Sequence, residues 1–91
     1  MKIYVVNGTT GEYSDRTEWL VAAYTREEDA RKHVEKATEY VQAWRSTHTR
    51  YETRCPPGPF DPNLQMDYTG TDYTYFEIEL REEFVSVETL Q

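Results

Sequence analysis

The chain's 91 residues make one domain, 1–91, with a thin core, and 37% apolar with 14% aromatic content describes an ordered protein rather than a disordered one. Its formal charge of −7 disfavours direct contact with nucleic acid or anionic lipid, because both would repel it. One cysteine, Cys55, excludes an internal disulfide and leaves zinc without partners, so no metal or cofactor is expected and a reducing, cytoplasmic setting follows.

Lys2-Ile3-Tyr4-Val5-Val6 is β-branched and aromatic, and reads as a strand. Both of its faces carry apolar side chains, which suits a central place in a sheet. Asn7-Gly8 is expected to stop it, with 7–17 a polar loop turned by Gly8 and Gly11. Glu18 to Tyr24 is a second strand, so 2–24 holds two strands. No apolar stretch approaches the ~20 residues that span a bilayer, and the opening run is a strand rather than a leader.

Thr25 and Glu28 match a capping box, and Glu27, Glu28 and Asp29 set negative charge at the positive end of a helix dipole. Ala30, Val34, Ala37, Val41 and Trp44 recur every three or four residues, which places one apolar stripe on a helix over 26–48. Glu28 and Lys32 are spaced to support it. Residues 50–72 show no period and are dense in proline (Pro56, Pro57, Pro59, Pro62), which reads as a long, stiffened loop of the kind that often carries function.

A last strand is expected over 73–81. Thr74, Phe76, Ile78 and Leu80 alternate with Tyr73, Tyr75, Glu77 and Glu79, the first set expected on the core and the second in water. The tail, 82–91, contains Phe84-Val85-Ser86-Val87 and suits a short fourth strand or a docked end. Strand, strand, helix, strand gives an α+β fold: a three-stranded antiparallel sheet of order 2-1-3 with one long helix across one face.

The opening residues Lys2-Ile3-Tyr4-Val5-Val6, Gly8 or Gly11, Tyr13-Ser14-Asp15, Val21-Ala22-Ala23-Tyr24 and Thr25-Arg26-Glu27-Glu28-Asp29-Ala30 resemble a family of small domains of unknown function found in phage and bacterial genomes. The resemblance covers roughly the first forty residues. It implies the strand–strand–helix–strand fold and no activity.

From Pro57 onward eight acids face a single base, Arg81, while the preceding residues hold nine of each. Tyrosine favours interfaces because it buries area and keeps a polar tip. The sequence therefore points to a docking surface in which Asp72, Glu77, Glu79, Glu82 and Glu83 supply charge and Tyr73 and Tyr75 act as anchors. The expected function is a small non-enzymatic inhibitor or adaptor on a basic protein surface, its carboxylates standing in for phosphates. In a phage setting that is an anti-CRISPR-like protein blocking a nucleic-acid-handling defence complex. The alternative is a housekeeping or virion-associated interaction module acting as a homodimer. Catalysis is not expected: Cys55 with His48 lacks a third orienting group, Gly8-Thr9-Thr10-Gly11 lacks a phosphate-binding lysine, and Glu77 with Glu79 is an ordinary exposed pair.

Overall fold

The computed structural model describes residues 1–49 and 51–80. Strand β1 spans Lys2–Thr10 and β2 spans Thr17–Tyr24, joined through a 3-10 turn at Tyr13–Asp15. Helix α1 follows at Glu27–Arg45, and β3 at Thr71–Glu79. The strands form one sheet in the order β2-β1-β3, with β1 antiparallel to both neighbours. This is the expected architecture. The proposed fourth strand, and Glu82 and Glu83 with it, lie outside the described residues.

Asn7-Gly8 does not stop β1, which continues to Thr10. The reason is a neighbour rather than a turn. A Cβ on Gly8 would meet the Trp19 ring at 2.6 Å, so glycine admits the indole that lies over β1 at that point. The capping box is not formed either: Arg26 is the N-cap in extended conformation, with no side-chain cap hydrogen bond. The Glu28–Lys32 pair does form, at 3.2 Å. At the other end the Ser46 and Thr47 hydroxyls donate to the carbonyls of Ala43 and Trp44, and the helix stops three residues before His48.

The helix stripe packs as its spacing predicts, with Ala30, Ala37 and Val41 buried. The strand facing it is turned the other way from expectation. Tyr73 is 7% exposed and joins Ala37 and Val41 in the core, whereas Phe76 is 46% exposed. Cross-strand partners share a face, so Tyr73 with Gly8, Tyr75 with Val6, and Glu77 with Tyr4 lie on the helix side. Phe76 with Val5, and Ile78 with Ile3, lie on the opposite side.

On β2 the register shifts opposite Val6/Asn7, leaving Val21 as an extra residue. That bulge explains how Trp19 and Tyr24, of opposite parity, both reach helix-side groups: Trp19 bonds Asp61 and Tyr24 bonds His33. It also turns Leu20 to the open face, beside Asn7.

The proline-rich segment is a third wall of the core. Phe60, Leu64 and Met66 pack against the Ala37–Val41–Tyr73 cluster, and Cys55 is buried. Its turns close at Gly58–Asp61 and Asp67–Gly70. Hydrogen bonds pin it to the rest: Tyr40 donates to the Pro56 carbonyl, a His33 ring nitrogen meets the Phe60 carbonyl at 2.6 Å, and Arg45 donates to that of Tyr68.

The central pin is Asp61, which is 3% exposed. One carboxylate oxygen accepts from Trp19 Nε1 at 2.9 Å and from the Tyr73 hydroxyl at 2.7 Å. The other accepts from the Asn63 amide. The loop is thereby tied to β2 and β3 across the glycine of β1.

Burial, followed by the hydrogen bond to Asp61 and its charge, pushes the Tyr73 phenol far above its usual range. The sign of the linkage follows. The folded value exceeds the unfolded one, so the neutral phenol stabilises the fold below about pH 10 and that stability is lost as pH rises further. In an alkaline titration, part of the phenolate absorbance is expected to appear only as far-ultraviolet circular dichroism collapses. Tyr73→Phe is expected to remove that late step. Full phenolate absorbance with the fold intact would contradict the burial.

Candidate docking surface

Of the seven residues expected to form one acidic–aromatic surface, the five described, Asp72, Tyr73, Tyr75, Glu77 and Glu79, do not come together as one. Tyr73 is in the core and cannot anchor a partner without unfolding. Tyr75 is half-buried on the helix side. Glu77 and Glu79 are exposed on that same side, but Glu77 accepts from the Tyr4 hydroxyl and lies 3.7 Å from Lys2, and Glu79 lies 3.2 Å from the Met1 amine. Such exposed pairs contribute only about 0–1 kcal/mol each, yet they lower the free charge offered to a partner. Asp72 belongs to the opposite face, paired across the sheet with Thr9.

That opposite face is the more informative surface. Helix and loop both cover the Tyr73 side, and no described element lies over the other. Its rows follow from the register. Ala23, Val5 and Phe76 form one, with Ile3 and Ile78 beside it towards the start of β1. Leu20, Asn7 and Thr74 form the next, then Glu18, Thr9 and Asp72. The face therefore grades along β1 from apolar to acidic.

Leu20 is 66% exposed and Phe76 46%, on the two outer strands, flanking buried Val5. Isolated exposed apolar residues are ordinary; these stand in rows on a face over which no described element lies. At the acidic end, Glu12, Arg16 and Asp72 border a shallow recess, and Arg16 is engaged by Glu18 at 2.7 Å. Asp72 carries no ion pair or side-chain hydrogen bond among the described residues.

The residues weighed for chemistry are placed differently. Cys55 is buried, burial pushes its thiol up, and its Sγ approaches the Pro56 carbonyl at 3.8 Å. A thiol held protonated is a poor nucleophile. His48 stacks on Trp44, with ring centroids 4.0 Å apart and planes inclined by 10°, and its Nδ1 meets the Trp44 carbonyl. A cleft of about 470 Å³ opens there, lined by Trp44, His48, Tyr51, Glu52, Thr53 and Arg54 but not by Cys55. His33 bonds at both ring nitrogens, to the Tyr24 hydroxyl and the Phe60 carbonyl, and joins strand, helix and loop. No group of three or more metal-ligating side chains occurs among the described residues. No described helix is long and apolar enough to cross a membrane.

Among the described residues these surfaces belong to an α+β domain with one sheet face covered and the other open. No family model, curated protein or solved structure matches the chain.

Leu20 and Phe76 escaped the sequence reading. The bulge that orients Leu20 leaves no residue signature, and Phe76 has the composition of a core residue.

Proposed function

We propose that the protein is a non-enzymatic binding module whose working surface is the open sheet face, and whose partner is a basic protein surface. One observation carries the reading: Leu20 and Phe76 stand exposed on the same sheet face, over which no described element lies, in a chain of net charge −7. The apolar rows supply contact area, and the negative field steers a cationic partner and speeds its association. The module inhibits wherever the surface it covers is a groove that otherwise holds nucleic acid. A phage-encoded protein acting on a host CRISPR effector is one such setting.

The test is capture of partners from cells by wild type, by Leu20→Glu/Phe76→Glu and by Glu77→Lys/Glu79→Lys. The first pair of substitutions is expected to lose the partner by at least about tenfold, roughly the effect of 1.4 kcal/mol. Raised salt is expected to weaken wild-type capture. A partner lost with Glu77→Lys/Glu79→Lys but kept by Leu20→Glu/Phe76→Glu would move the working surface to the helix side and defeat the proposal.

A further inference from the structure

Resting on that reading, we infer that the open face takes a cationic amphipathic protein segment, which seats one large apolar side chain on Phe76 and Leu20 and a lysine or arginine on Asp72. The spacing comes from β3: Phe76 and Asp72 are four residues apart on one strand face, about 13 Å at the usual rise. Asn7 and Thr74 lie between the two ends, with Thr9 beside Asp72, and offer hydrogen-bonding groups rather than further apolar area.

Charge complementarity selects this occupant. The acidic end holds Glu12, Glu18 and Asp72 with Arg16, which Glu18 already engages, while Arg45 borders a neighbouring recess with Glu12. Among the described residues, Asp72 is the carboxylate of this end that an incoming cation meets without displacing another.

A second copy of the chain fits less well. Leu20 and Phe76 expose roughly 200 Å² together, taking ~150–250 Å² for a whole large side chain, against about 800 Å² per partner in a stable interface. Two chains of −7 also repel. Salt separates the cases by sign, since screening weakens a cationic partner and strengthens a like-charged dimer.

The experiment titrates the full chain with short synthetic peptides, followed by nuclear magnetic resonance shifts of Leu20, Phe76 and Asp72. The matched peptide is Ser/Thr-rich with a tryptophan and an arginine four residues apart. One control sets the arginine beside the tryptophan, and another replaces it with glutamate. The matched peptide is expected to shift all three residues and to bind about tenfold more tightly than the glutamate peptide. Asp72→Asn is expected to erase the difference between matched and displaced arginine.

Equal binding of both arginine peptides to wild type would overturn the inference. So would the absence of any peptide response while Leu20→Glu/Phe76→Glu still loses its cellular partner, which leaves the module reading standing. Contacts between Phe76 of two copies with a dimer in light scattering, or between Phe76 and residues 81–91 of its own chain, would overturn it by giving the face another occupant.

Discussion

Asp61→Ala is expected to destabilise the domain by about 3–5 kcal/mol, out of the roughly 5–15 kcal/mol that holds a domain folded. The substitution strands three donors: the Trp19 indole, the Tyr73 hydroxyl and the Asn63 amide. A buried donor left without an acceptor costs about 1–3 kcal/mol, and the site is too enclosed for all three to turn to water. Asp61→Asn keeps a carbonyl oxygen for Trp19 and Tyr73 while its amide faces the Asn63 N–H, so its cost is expected to be about 1–2 kcal/mol. Denaturant titration read by tryptophan fluorescence measures both. The cycle of Asp61→Ala with Tyr73→Phe is expected to be strongly non-additive, since each change removes the same bond. An Asp61→Ala protein within about 0.5 kcal/mol of wild type would show that the loop is not held through this carboxylate.

Gly8→Ala is the second large effect, and its origin is steric. The added methyl meets two Trp19 ring carbons at 2.6 Å, nearer than real Cβ contacts come. The indole cannot retreat without stretching its 2.9 Å bond to Asp61. Overpacking of this kind costs about 1–3 kcal/mol, and weakening the Asp61 bond adds to it. An alanine would ordinarily favour a strand over glycine by restricting the unfolded chain, so the sign of the result is diagnostic. Loss of stability with altered tryptophan fluorescence is expected. A neutral or stabilising Gly8→Ala would mean that the ring does not lie across β1.

Both effects arise from contacts that the sequence displays only in part. Regular spacing was enough to read the sheet order, the helix stripe from Ala30 to Trp44 and the central place of β1, because those depend on local period and two-sided apolarity. The orientation of β3 was not readable that way. Phe76, Ile78 and Leu80 have the composition of a buried face, and Tyr73 and Tyr75 that of a wet one. The outcome turned on Asp61, a loop residue twelve positions before Tyr73, whose carboxylate lets the tyrosine bury its ring with the hydroxyl satisfied.

In sequence Gly8 looks like punctuation because glycine marks both turns and close approaches, and only Trp19 in place separates them. The same limit shaped the candidate surface. Acids and aromatics from Asp72 to Glu79 are adjacent in sequence, but a strand sends neighbours to opposite faces. Tyr73, Glu77 and Glu79 went to the helix side while Asp72 joined Phe76 and, through the Val21 bulge, Leu20.

The most direct test of the open face as the working surface is a footprint on the full chain, by methyl and amide resonances with and without the captured basic protein. Changes are predicted at Leu20, Phe76, Ile78 and Asp72, with Arg31, Glu35 and Glu39 on the outer side of α1 unaltered. Changes on that outer side, with Leu20 and Phe76 unmoved, would contradict the account.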